Sequence, residues 1–311
     1  MIKIEKENTY GWEEAIRGMR NPLNSWERSD SLFKLTCDNT ECGDCPEHNS
    51  GSCNPDRLDK YGTNVGHNDH ELMMKLAKGG PAHAKYRRMI TVYADITAPL
   101  YWWKEFDTYK VGTVVNSCST MHKIHAKEFT LDDFSCEHLI DSVQEEPFDP
   151  EVPEGVNIMA NDDTGCLAVV CHGNYHEGHS YTDTLCVSQK DILDMFVIPA
   201  LNANRETYLK TKDKKYWWQM IQLLPSSYNQ KRTVMLNYEV LNNMYHSRKN
   251  HKLDEWVEFC KWVETLPYSE LITGKEEMVS PPNICTGCGS VIPEGKQVCP
   301  NCDPSKKSWE V

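Results

Sequence analysis

The sequence predicts an α+β protein carrying a small metal-bound appendage. Two observations set the class. Apolar residues alternate in short stretches such as "IKIEK" and "RRMITVYADI", and longer stretches show helical apolar spacing. A third observation, two pairs of closely spaced cysteines near the C-terminus, sets the appendage.

Taken in order, "IKIEK" predicts a strand and "GWEEAIRGM" a helix. "HNDHELMMKLAKGG" has helical spacing at Leu72, Met73 and Leu76, and Gly79-Gly80 ends it. "RRMITVYADI" is the next strand, and "APLYWWKEFDTYK" a helix entered through a proline. "TLDDFSCEHLIDSV" opens with Thr-x-x-Asp, which predicts a capped helix start. "DPEVPEG" is a break. A long helix is expected over "QKDILDMFVIPALNANRETYLKT", kinked at Pro199, and another over "KKYWWQMIQLL", stopped by Pro225. The stretch from Tyr228 to Trp256 is expected to supply a further amphipathic helix. "LDEWVEFCKWVETL" follows, with Trp256, Phe259, Cys260 and Val263 on one apolar stripe.

The chain has 311 residues, 39% of them hydrophobic, enough to bury a large core. A net charge of -13 argues against broad electrostatic binding to nucleic acid. The first residues lack the apolar centre of a signal peptide, and no apolar run reaches membrane-spanning length. A soluble, cytoplasmic chain is therefore expected. In a reducing compartment the 14 cysteines point to metal more than to disulfides.

The C-terminal segment "ICTGCGSVIPEGKQVCPNC" places Cys285 and Cys288 in one C-x-x-C pair and Cys299 and Cys302 in another. Two such pairs can close a tetrahedral thiolate site for zinc, and the segment resembles a zinc ribbon. The alternative is a pair of redox-active or idle dithiols. With all four positions taken by sulfur, the ion would be structural. A second cluster, Cys37, Cys42, Cys45 and Cys53, forms either another zinc site, with His48 as an alternative ligand, or a loop of reduced cysteines. In "CLAVVCHGNYHEGHSYTDTLC" a hairpin is favoured over a metal site.

The order of these pieces resembles the flavin-dependent thymidylate synthases, the ThyX family, over roughly residues 67–272. The first matching place is "GGPAHAKYRRMITVYADITAPLYWWKEF", where His83 falls on a histidine that approaches the flavin. The second is the family's arginine-rich signature, here "TYKVGTVVNSCSTM": Lys110 keeps a cation and Thr113 a hydroxyl, while Asn116, Cys118 and Thr120 depart from the pattern. The third runs from Leu224-Pro225 through Lys231, Asn237 and Asn243 to Arg248, with Glu239 reversing the usual charge.

The resemblance implies a mixed sheet with flanking helices and a helical bundle, assembled as a homotetramer. It also implies a methyltransferase that places a one-carbon group on C5 of dUMP or a related pyrimidine nucleotide. FAD, NADPH and methylenetetrahydrofolate would take part. By that resemblance Arg248 is catalytic, His83, Asn237 and Asn243 hold the flavin, and Lys231 and Lys110 bind substrate. The expected domains are 1–273, with insertions at 36–66 and 150–190, a linker at 274–283 and the ribbon at 284–303. The alternative is an inactive scaffold of the same fold, using structural zinc and a retained pocket to bind a nucleotide or partner. Cys118 with His122 as a nucleophilic pair, and Trp102-Trp103 or Trp217-Trp218 as stacking platforms, are set against a polar-loop thiol and core packing.

Overall fold

The computed structural model describes residues 2–33, 63–141 and 187–274, and the backbone of strands at 155–160, 167–175 and 179–186. Both cysteine clusters assigned to zinc, at 37–53 and 285–302, lie outside the described residues.

In chain order the elements are β1 (Lys3–Tyr10), α1 (Trp12–Arg20), β2 (Leu32–Phe33), β3 (Thr63–Asn64), α2 (His67–Lys78), β4 (Thr91–Pro99), α3 (Leu100–Phe106) and β5 (Val114–Ser117). There follow β6 (Gly155–Ala160), β7 (Leu167–Tyr175), β8 (His179–Val187), α4 (Ile198–Thr211), α5 (Lys214–Leu223), β9 (Asn229–Asn237), α6 (Tyr238–Arg248), α7 (Asp254–Glu264) and α8 (Glu270–Thr273). The main sheet has the order β1-β4-β9-β5. The α+β class expected from the sequence stands, and each neighbouring pair of this sheet is antiparallel. Strands β7 and β8 pair from Leu167↔Val187 to Tyr175↔His179, the hairpin favoured over a metal site.

Strict alternation gives the sheet one dry and one open face. Val92, Ala94, Ile96 and Ala98 of β4 and Val234 and Leu236 of β9 are buried beneath α1, α3, α6 and α7. The cross-strand partners Tyr93↔Met235, Asp95↔Thr233 and Thr97↔Lys231 take the other face. A second core joins Ile124, Phe129 and Phe134 to Leu193, Leu201 and Met220 around the α4–α5 pair.

The predicted helix between Tyr228 and Trp256 is corrected. Its first part is β9, the strand between β4 and β5. The pattern through "RTVML" has period two, and the β-branched Thr233 and Val234 suit a pleated surface. The helix begins only after Asn237. The Thr130–Asp133 capping box forms as expected, yet it opens a single 3₁₀ turn, Leu131–Asp133. Phe134 then bridges Tyr228, and Ser135 N–H donates to Ser227 O at 2.8 Å, so the backbone that would continue the helix is engaged elsewhere. The interruption expected at Pro199 appears just ahead of it, as a π turn at Ile192–Val197 in which Ile198 N–H reaches Leu193 O. Widening the turn accommodates a residue that lacks an N–H and crowds the preceding carbonyl.

One buried ion pair ties the N-terminal segment together. Arg20 Nε donates to Asp69 Oδ1 at 2.5 Å, and the Arg20 Nη atoms reach the carbonyls of Ser25 and Arg28. Asp69 Oδ2 accepts from Ser29 Oγ, Ser31 Oγ and the backbone N–H groups of Asp30 and Ser31. Asp30 in turn accepts from the first N–H groups of α2 at Asn68 and Asp69, satisfying donors that a helix start leaves free. At the sheet's outer edge, β1 carries a bulge between Glu5 and Asn8, with Lys6 at φ 54°.

Candidate functional site

The short strand β5 brings together segments that are far apart in sequence. It pairs with β9 from Val114↔Met235 to Ser117↔Arg232, and Cys118 N–H donates to Lys231 O at 2.9 Å. Upstream, Gly112 lies directly against the Asn237 amide. A Cβ at Gly112 would sit 2.5 Å from Asn237 Nδ2, and its φ of +78° also favours glycine. Further upstream, Tyr109 Oη accepts from Arg248 Nε at 3.0 Å. Residues 109–118 therefore run beside 231–248, forming a strip from Lys231 through Asn237 to Arg248.

At one end, Lys231 Nζ lies 3.2 Å from Asp95 and 3.8 Å from Glu5, on the open face of the sheet. The hydrogen bond from Thr233, with help from Lys231, holds the Asp95 carboxyl below its ordinary range despite the opposing effect of burial. Beside Lys231 opens a cleft of about 300 Å³, lined by Cys118, Ser119, Thr120, Lys127, Tyr228 and Asn229 among others. Cys118 is exposed, and among the described residues no hydrogen bond joins it to His122.

In the middle, Asn237 is not inside a helix, as the expected helix between Tyr228 and Trp256 implied. It is the N-cap of α6, and its Oδ1 accepts from Val240 N–H at 2.9 Å. Only Nδ2 faces the strip. Asn237→Ala should cost about 1 kcal/mol of stability, whereas Asn237→Asp should keep the cap and stay within a few tenths of wild type. Chemical denaturation of both variants checks this. Lys110 is exposed between Tyr109 and Gly112, and its ammonium has no ion-pair partner among the described residues.

At the other end, Arg248 stands in a cluster that sequence reasoning missed. Its Nη1 meets Glu105 Oε2 at 2.8 Å, and the guanidinium lies over the rings of Trp256 at 5.0 Å and Tyr109 at 5.7 Å. The same Glu105 oxygen accepts from Trp256 Nε1 at 3.0 Å and lies 3.5 Å from His251 Nε2. A carboxylate inside the aromatic run "YWWKEF" requires a cationic or donor partner, which was the available signal. The sequence did not show that the partner is Arg248.

The remaining predicted residues are more scattered. His83 is exposed on the turn after α2, its ring against Gly79. Asn243 is exposed on α6. Among the described residues no hydrogen bond or ion pair ties either to the strip. Trp102 and Trp103 are fully buried and belong to the core, which removes them as stacking platforms. Trp217 is partly buried against the second core, and Trp218 is 42% exposed. Among the described residues no group of three or more His, Cys, Asp or Glu side chains is placed to hold a metal ion. No described helix is long and apolar enough to cross a membrane.

No family model matches the sequence, and no curated protein does. Among solved structures the chain is similar to the flavin-dependent thymidylate synthase ThyX from Helicobacter pylori complexed with FAD and dUMP. That likeness has 13% identity, covers 88% of this chain and 98% of that one, and has a TM-score of 0.48. It is also similar to the UMP/dUMP methylase PolB from Streptomyces cacaoi bound with 5-Br dUMP, at 13% identity, 88% and 95% coverage and a TM-score of 0.44.

Proposed function

We propose that the chain is a flavin-dependent, ThyX-like methyltransferase that binds a pyrimidine nucleotide along the β5–β9 strip and transfers a one-carbon group to its C5. One observation carries this reading. Two segments matched separately in the sequence, the altered signature and the stretch ending at Arg248, lie side by side with contacts at both ends and in the middle.

In this arrangement Arg248 faces the base, where a fixed guanidinium stabilises charge developing on a ring carbonyl. Lys110, on the loop that follows Tyr109, supplies a cation for the nucleotide phosphate, whereas Lys231, on the open face of the sheet with Asp95 and Glu5, would serve a nucleotide held by a neighbouring chain of the assembly. His83 and Asn243, both exposed, and the free Nδ2 of Asn237 are the groups available to FAD. When bound, FAD would supply a hydride, with NADPH as reductant and methylenetetrahydrofolate as carbon donor. The strip lies partly on the open sheet face, so a homotetramer would complete the site by covering it. Zinc is assigned to the cysteine pairs at 285–302 as a structural ion, and to Cys37, Cys42, Cys45 and Cys53 as a second.

A second reading is favoured by a specific observation: Arg248 is already paired with Glu105, and the Asn237 carbonyl is committed to its helix. A scaffold that kept the fold and binds a nucleotide or partner without catalysis would tolerate both. The two separate by colour and heat stability. The enzyme should purify yellow or take up added FAD, and its melting temperature should rise with FAD and again with a pyrimidine nucleotide, because ligands of the folded form raise it. A colourless protein that takes up no FAD would remove the enzyme and leave the scaffold.

A further inference from the structure

We propose that the turn joining α4 to α5 is a docking surface for single-stranded nucleic acid. The stretch "LKTKDKKYWW", from Leu209 to Trp218, sets four lysines and one aspartate beside three aromatic rings. All four lysines are exposed, and so is Trp218. Three of the ammonium groups lie over rings. Lys212 Nζ is 5.8 Å from the Tyr208 ring, Lys215 Nζ 4.7 Å from that of Tyr216, and Lys214 Nζ 5.7 Å from Trp218 and 5.9 Å from Trp217. Trp217 is anchored by its Nε1, which donates to Met121 O at 2.8 Å, and it meets Trp218 edge-on at 4.7 Å.

Local stability does not account for this arrangement. Lys210 and Lys212 close α4, where the helix dipole favours cations. Lys214 and Lys215 open α5, where the same dipole disfavours them. The one aspartate in the run is already committed. Its Oδ1 caps α5 by accepting from Lys215 N–H at 3.0 Å, and its Oδ2 lies 3.3 Å from Lys215 Nζ. Lys210 has Glu206 at 3.8 Å. Among the described residues Lys212 and Lys214 have no ion-pair partner, so their counter-charge must come from outside.

A polyanion whose repeating unit carries a flat ring suits both halves of this surface. Its phosphates meet the ammonium groups, and an unpaired base stacks on the exposed Trp218. A lipid surface fits less well, because between 208 and 218 the exposed large hydrophobics are Leu209 and Trp218, too small an apolar face to anchor there. The net charge of -13 repels a polyanion from the rest of the chain and confines contact to this end. None of these lysines or rings belongs to the β5–β9 strip. Met121, which Trp217 holds, follows directly on Cys118, Ser119 and Thr120, which line the cleft beside Lys231.

Fluorescence anisotropy of the full chain with labelled 15-mers of thymidylate and of uridylate tests the surface, the two arms separating DNA from RNA. Binding of at least one should weaken roughly 20- to 50-fold between 50 and 200 mM salt, as three or four phosphate contacts require. Trp218→Ala should weaken it about tenfold. Lys212→Gln combined with Lys214→Gln should roughly halve the salt dependence at an unchanged melting temperature. Binding of neither 15-mer overturns the proposal, as does binding that Trp218→Ala leaves intact. Equal competition by inorganic polyphosphate, which has no bases, overturns it too, as does binding to phosphatidylserine vesicles in place of the oligonucleotides. A double-lysine variant that melts earlier yet binds as wild type would assign the lysines to the fold and overturn it as well.

Discussion

Asp69→Asn is expected to lower the unfolding free energy by roughly 3–5 kcal/mol, the usual cost of breaking a buried pair by removing one partner. The change leaves the buried Arg20 uncompensated and turns part of an acceptor into a donor facing the Ser29, Asp30 and Ser31 donors. Burial works to raise the Asp69 carboxyl, but hydrogen bonds from Ser31 and Ser29 and the Arg20 guanidinium outweigh it and hold the group below its ordinary value. A carboxyl lowered by folding contributes stability above its unfolded value, and loses it as pH falls through the folded value. The gap between wild type and variant should therefore be full at neutral pH and shrink below about pH 4. Urea unfolding at pH 7 and pH 3 measures it, and equal midpoints at pH 7 would contradict the role given to Asp69.

Trp102→Ala should cost a similar amount, roughly 3–5 kcal/mol, through the cavity it leaves. The Trp102 ring lies 4.8 Å from that of Trp256, 4.9 Å from Trp103, 5.1 Å from Phe106 and 5.7 Å from Phe259, with no solvent exposure. Among the described residues its indole N–H has no hydrogen-bond partner. Replacing it by phenylalanine thus removes an unsatisfied donor along with some volume, and Trp102→Phe should cost about 1.5 kcal/mol or less. If Phe proved as damaging as Ala, the indole would be making a polar contact.

Much of this fold was legible where one period runs through a whole element. The stripe of Trp256, Phe259, Cys260 and Val263 is buried as its spacing predicted, and Gly79 caps α2. Legibility failed where the period changes within a stretch. From Arg232 to Leu236 the pattern is that of a strand, after Asn237 that of a helix, and the asparagine at the junction is the signal that was passed over. It also failed at Thr130, where a correct local start is overridden by pairing with Tyr228. In the site, Arg248 and Lys231 could be picked out one at a time. Their counter-charges, Glu105 and Asp95, could not, because each pair is made by strand register and helix packing rather than by local sequence.

The bulge in β1 has a bearing on how copies of this protein meet. Its lysine-and-glutamate-rich border, twisted out of line at Lys6, is a poor template for another chain's backbone to zip onto. Ribbon-like polymerisation along that rim is thereby discouraged.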